Sequence, residues 1–177
     1  TTHEHLEGIR IASGSLGQGM SVAIGAAYAK KLNKDNSTVY VLMGDGEQQE
    51  GQVWEAATFA PHHEMDNLIA FIDLNGQQID GPTVKVMNNR DLGAKYSAFG
   101  WEVISVEDGN DMAAVVKGVK EAKSKLGQGK PVMVLLHTGM GYGVDFMMGS
   151  HKWHGVAPND AQLAEALGQL EETLGDY

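Results

Sequence analysis

The chain has 177 residues, 42% hydrophobic and 20% charged, which is long enough for one α/β domain with a buried core. Its 13 basic and 23 acidic residues leave a formal charge of −10, which argues against non-specific binding to nucleic acid or to anionic membrane. There is no cysteine for a disulfide framework, and no apolar run approaches the roughly 20 residues of a membrane span. The opening Thr1-Thr2-His3-Glu4-His5 is not signal-peptide-like, and a cytoplasmic location is expected.

Residues 1–13 are mixed and polar. Ser13-Gly14-Ser15-Leu16-Gly17-Gln18-Gly19 reads as a loop feeding a helix, in which apolar and small residues recur at helical spacing from Leu16 to Leu32. Gly17, Ser21 and Gly25 form one small stripe, and Gly19, Ala23 and Ala27 another. Tight packing on a sheet explains these residues, and so does a glycine loop whose free backbone N–H groups accept an anion. A polar turn then leads to the strand 38–43, an apolar run that ends in Gly44-Asp45-Gly46-Glu47. The two glycines permit a sharp turn and a close approach. Asp45 is expected at the carboxyl end of a strand, where open α/β sheets bind ligands. Glu50 to Ala60 reads as a helix ended by Pro61, with Trp54 as packing. His62, His63 and Glu64 are adjacent on a loop without a third spaced histidine, and read as surface rather than zinc ligands.

Leu68 to Leu74 is a second run of the same kind, followed by Asn75. A Gly-Asp-Gly alone is usually a turn, and a lone Asn after a strand is usually a cap. Together, two neighbouring strand ends would present a carboxylate and an amide oxygen at one spot, hard ligands that suit Mg²⁺ completed by phosphates. Gly76 to Pro82 is dense in turn formers, and 88–92 can cap a helix running to about Phe99. Gly100 to Val106 is a third strand. Asp108 to Asp111 cap a longer helix with Met112, Val115, Val116 and Val119 on one face and Lys120, Lys123 and Lys125 in its last turns. Val132 to His137 is a fourth strand. This alternation predicts an α/β fold, a doubly wound, mostly parallel sheet with helices on both faces, as one domain over 1–177. The glycine- and methionine-rich loop 138–149 then falls on the ligand face, and its apolar residues call for cover by the core or by another chain. Asp160 is expected to cap a final amphipathic helix carrying Leu163, Ala166, Leu167, Leu170 and Leu174.

Gly44-Asp45-Gly46 followed by Asn75 resembles the thiamine diphosphate-binding motif. Glu50-Gly51, Ile79-Asp80-Gly81, the loop Gly14 to Gly19, and Trp153-His154-Gly155 with Ala157-Pro158 are similar to transketolases. The similarity runs from about Ile9 to Leu170 and points to the diphosphate-binding half of a transketolase built from two separate subunits. The resemblance implies a thiamine diphosphate-binding fold, with Asp45, Asn75 and the main-chain carbonyl of Gln77 as ligands of Mg²⁺, for which Ca²⁺ or Mn²⁺ can substitute. It implies that Gly14 and Leu16 border the thiazolium and pyrimidine, and that Gly44, Gly46, Glu47 and Asn75 bind the cofactor around its diphosphate. Glu50 would lie at the contact with the partner's half-site. His154 would meet diphosphate and substrate, with His3 as a second catalytic histidine. Histidine suits that work because its unperturbed pKa of about 6.5 lets it give or take protons near neutrality.

The implied activity is transfer of a two-carbon ketol unit between sugar phosphates. It would require a pyrimidine-binding partner subunit together with self-association, and no nucleic acid or membrane partner. Two alternatives stand beside it: another thiamine diphosphate enzyme, such as a 2-oxoacid dehydrogenase component or a deoxyxylulose phosphate synthase, or a non-catalytic cofactor-binding subunit. Met140 stands where transketolases usually carry a lysine, which bears on sugar-phosphate specificity.

Overall fold

The computed structural model describes residues 8–170. In chain order the elements are α1 (Gln18–Leu32), β1 (Val39–Gly44), α2 (Gly51–His62), β2 (Leu68–Leu74), the short strands β3 (Gln77–Gln78) and β4 (Gly81–Pro82), α3 (Thr83–Val86), α4 (Leu92–Phe99), β5 (Glu102–Val106), α5 (Met112–Ser124), β6 (Val132–His137) and α6 (Asp160–Gln169). Four strands pair in the order β1-β2-β6-β5, all parallel, as the alternation of strands and helices predicts. Parallel pairing brings every carboxyl end to one edge, with Gly44 beside Asp73 and Leu74 beside His137.

The central strands are apolar throughout because both of their faces are covered. On one face Met20, Ala23 and Ala27 of α1, Val53, Ala57 and Ala60 of α2, and Leu92 and Tyr96 of α4 bury Met43, Ala70, Ile72 and Met133. Each such Ile, Leu or Val contributes roughly 1.5–3 kcal/mol by leaving water. The stripe Gly19, Ala23, Ala27 is the one turned to the sheet: a β-carbon at Gly19 would lie 3.6 Å from Val41. On the other face α5 covers Ile69, Ile104, Val106, Val132 and Val134. This cover reaches only part of the sheet. Tyr40 and Leu42 on the outer strand β1 remain 48% and 68% exposed, and the Tyr40 ring stacks on Phe71.

Several local expectations change. α2 does not stop before Pro61 but runs through it to His62. Proline has no N–H for the carbonyl four residues back, and the buried indole of Trp101 donates to that Ala57 carbonyl instead, at 2.9 Å. Gly100, at φ 103°, makes the turn that brings Trp101 there; a β-carbon on it would meet Pro61 at 3.4 Å. On α5 the buried positions are Gly118 and Ala122, with Ala114, Val115 and Val119 half-buried, whereas Met112 and Val116 face solvent. The smaller residues win because α5 sits very close: a β-carbon at Gly118 would lie 2.5 Å from Val106. Asn159, not Asp160, caps α6, in a reciprocal capping box with Gln162. Leu163, Leu167 and Leu170 are exposed there and Ala166 is buried; Leu174 lies outside the described residues.

Candidate active site

The carboxyl edge of the sheet gathers the residues singled out in sequence. Asp45 leaves β1 only 5% exposed. One of its carboxylate oxygens accepts from the Gly46 amide at 2.8 Å, and the other reaches across to the Gly76 amide at 2.7 Å, so a single side chain ties the β1 loop to the β2 loop. Burial pushes this carboxyl up; the Gly76 and Gly46 amides oppose that, and the neighbouring charge of Asp73 adds to it. Among the described residues the three ion pairs are Lys30–Asp35, Lys31–Asp66 and Lys125–Glu102, all elsewhere. A buried carboxylate without a counter-charge is costly unless a cation joins it.

Asn75 stands two residues beyond Asp73. Its Oδ1 accepts from the Gln77 amide at 2.9 Å, and its Nδ2 donates to Asp73 at 3.1 Å. The other Asp73 oxygen accepts from the Thr138 hydroxyl, so the loop after β6 is tied in as well. The side-chain Oε1 of Gln77 is buried without a hydrogen-bond partner. Among the described residues no three His, Asp or Glu side chains converge. The Asp45 carboxylate, the Asn75 amide oxygen and the Gln77 main-chain carbonyl would form an all-oxygen set, of the chemistry that suits a hard divalent ion keeping water or phosphate in its remaining positions.

The 3₁₀ turn Gly46–Gln49 joins these loops to the rest of the fold. Glu47 accepts from the Gly17 amide at 2.7 Å through one oxygen and from the Gly44 amide at 3.2 Å through the other. Gln48, wholly buried, donates to the Gly44 carbonyl at 3.1 Å and accepts from the Tyr96 hydroxyl at 2.6 Å. Burial, and then the charge of Glu47, raises the Tyr96 phenol far above its ordinary range. Gln49 donates to Gln78 and to the Met87 carbonyl, and Asn89 donates to the Asp45 carbonyl at 3.0 Å. A β-carbon at Gly46 would lie 3.0 Å from Gln78, which leaves little room for any other residue there.

Gly17 precedes α1 in the left-handed region at φ 82°. Gly14 and Leu16 are exposed on the same loop, with open space about Gly14. His154 is exposed and follows the 3₁₀ turn His151–Trp153, which packs against β4 and so lies beside the Asn75 hairpin. Trp153 anchors that turn by donating to the Phe146 carbonyl at 3.0 Å. Met140 is half-buried in the loop after β6. His3 lies outside the described residues. His62 and Glu64 are exposed, and His63 packs on Phe59, as surface residues would. Trp54 packs on Tyr96 and Phe99.

The family model for the transketolase, thiamine diphosphate binding domain matches residues 2–173. The chain belongs to that family. It is 42% identical over 165 residues to the 6-deoxy-6-sulfo-D-fructose transketolase subunit SqwG of Clostridium sp. (strain MSTE9), an alignment covering 93% of this chain and 59% of that one. It is 38% identical over 167 residues to one of the apulose-4-phosphate transketolase subunits of Phocaeicola vulgatus, covering 94% and 58%. The chain thus spans under two thirds of the length of these relatives. Among solved structures, the transketolase of Campylobacter jejuni superposes with a TM-score of 0.81 at 34% identity, over 92% of this chain and 26% of that one. As a transketolase-family domain, the chain carries the thiamine diphosphate-binding α/β fold.

Sequence reading finds the strand-end pair but misses the residues that hold it. Asp73, Gln48, Tyr96, Asn89 and Thr138 are ordinary residues in their own segments, and only the fold brings them to the loops. The polar run Glu47-Gln48-Gln49 before the apolar face of α2 is the one signal in the sequence, since three polar residues in a loop at a strand end need partners.

Proposed function

We propose that the chain is the diphosphate-binding subunit of a two-subunit transketolase, moving a two-carbon ketol unit between sugar phosphates when joined to a pyrimidine-half partner. The observation that carries this is the buried Asp45 carboxylate, bridging two loops with no cationic partner among the described residues, in a chain of the transketolase family. The names of two relatives, each that of one subunit of a transketolase, support a split enzyme.

In this reading Asp45, Asn75 and the Gln77 main-chain carbonyl hold Mg²⁺. Gly44 and Gly46 offer backbone to the diphosphate, and Gly14 and Leu16 border the ring portion. Thiamine diphosphate, when bound, supplies the carbanion and electron sink that side chains lack. His154 handles protons at the substrate oxygen, and His3 is assigned to the same work from sequence. The half-buried Met140 offers no charge to a substrate phosphate where transketolases usually carry a lysine, which leaves room for another donor within the same ketol-transfer reaction.

The test is assay of ketol transfer with thiamine diphosphate and Mg²⁺, by the purified chain alone and with candidate partners. No turnover alone and turnover with a partner is expected. Robust turnover by the chain alone overturns the split-subunit reading.

A further inference from the structure

Among the described residues, the Glu47 carboxylate has two engagements. One oxygen accepts from the Gly17 amide, thirty residues away in sequence, and the other from the Gly44 amide at the end of β1. Gly17 is the N-cap of α1 and, as a glycine, has no side chain with which to cap the helix. The carboxylate therefore serves as an anionic cap supplied from a distance, where the helix dipole favours negative charge. The opposite side of the glycine is closed as well: a β-carbon there would lie 2.7 Å from Gln52 and 2.9 Å from Glu50. Gln52 also donates to the Leu16 carbonyl and accepts from Gln18. Those contacts fix the glycine loop to the start of α2. Glu47 is the side chain that fixes it to the strand-end loop.

We propose that Glu47 is a positioning residue: its carboxylate sets the spacing between the Gly14–Gly17 loop and the Gly44–Gly46 loop. This rests on the cofactor reading above, in which the first loop borders the ring portion and the second holds the diphosphate and metal. A ligand spanning both loops depends on their spacing. A fragment that meets only the second does not. Direct contact of Glu47 with the diphosphate is disfavoured, since both oxygens already accept amides and two anions repel.

Glu47→Gln keeps the shape but sets an NH₂ group against one of the two amide donors, so one tie is lost. Glu47→Asp keeps the charge and is one methylene too short to reach both. Each variant and the wild type is studied as the full chain in complex with its pyrimidine-half subunit. Calorimetry measures binding of Mg²⁺–thiamine diphosphate and of Mg²⁺–pyrophosphate, and hydrogen exchange follows the amides of 13–17 and 44–46. Loss of one charge-assisted hydrogen bond predicts about tenfold weaker binding of thiamine diphosphate in both variants. Pyrophosphate binding stays within about twofold, and exchange quickens about tenfold at 13–17 alone. Equal weakening for both ligands makes Glu47 a general support of the metal loop and overturns the proposal. Unchanged binding of both overturns it too, as does wild-type behaviour of Glu47→Asp, which would make charge rather than reach the property that counts. A wild type that binds neither ligand sinks the cofactor reading itself, and this inference with it.

Discussion

Asp45 by itself costs the fold stability, and with a cation it becomes useful. Its charge is buried and opposed by Asp73, and two backbone amides relieve only part of the cost. Asp45→Asn keeps one acceptor and removes the charge. The melting temperature of the metal-free protein at pH 7 is expected to hold or rise, while the increase that Mg²⁺ and thiamine diphosphate give the wild type disappears; scanning calorimetry with and without the pair checks both halves. Asp66 shows the opposite balance. Burial raises its carboxyl, but the hydrogen bond and charge of Lys31, with the Gly129 amide, bring it below the ordinary range. A depressed carboxylate stabilises the fold above the unfolded pKa of about 3.9, and that contribution is lost as pH falls through the folded value. Asp66→Asn is therefore expected to lower stability at pH 7 by about 1 kcal/mol or less, a surface-pair magnitude, and to match wild type near the acid limit of folding. Denaturant titrations at several pH values decide it. At this scale Asp45 and Asn75 are legible because each follows its own apolar strand. Gln48 is not, since burial of a glutamine depends on a tyrosine 48 residues further on.

At the level of elements, strands and helices are readable wherever an apolar run or a helical spacing continues unbroken, as in β2 and α1 respectively. The changes in α2 and α5 share one cause, a contact with another element, whereas the cap of α6 moves by one residue through its own local capping box. Apolar size points to one face of α5, yet close approach to β5 selects Gly118 over Val116. Gly118→Ala would thrust a methyl group to 2.5 Å from Val106. Despite alanine's better helix propensity, roughly 1–3 kcal/mol of destabilisation is expected from overpacking. Urea unfolding measures it, and an Ala variant as stable as wild type would mean that α5 lifts from the sheet at no cost. The hairpin β3–β4 and helix α3 escape a reading by period because they are too short to show one, although the glycine and proline in 76–82 mark the turn.

Across the whole molecule the charge is −10, and the loops of the candidate site add Asp45, Glu47 and Asp73 to one edge. Among the described residues, no Lys or Arg side chain hydrogen-bonds to these three. In the proposed function the metal is then the positive charge that lets a diphosphate approach. Chelation with EDTA is expected to abolish thiamine diphosphate binding in the complete complex, and raised salt with the metal present to weaken binding only modestly, because a metal-bridged contact is screened less than a surface ion pair. Calorimetry before and after chelation reads this, and undiminished binding in EDTA would remove the metal assignment. The parallel order of the sheet follows from alternating elements, whereas the partial cover over β1 does not. Tyr40 and Leu42 belong to an apolar run yet stand exposed, because α5 covers β5, β6 and part of β2 and does not extend over β1. No helix among the described residues is long and apolar enough to cross a membrane.

The proline in α2 and the indole that replaces its missing donor have an evolutionary consequence. A lineage that keeps Pro61 but trades Trp101 for Phe leaves the Ala57 carbonyl buried and unpaired, a cost of about 1–3 kcal/mol. A lineage that replaces Pro61 alone restores an amide donor, which the second lone pair of the Ala57 carbonyl can accept beside the indole. Drift can therefore lose Trp101 safely only after Pro61 has gone, so a proline at 61 is expected to be inherited with a tryptophan at 101, with Gly100 travelling alongside to keep the turn. Counting the three residues jointly across a deep set of relatives is enough to see whether they part company.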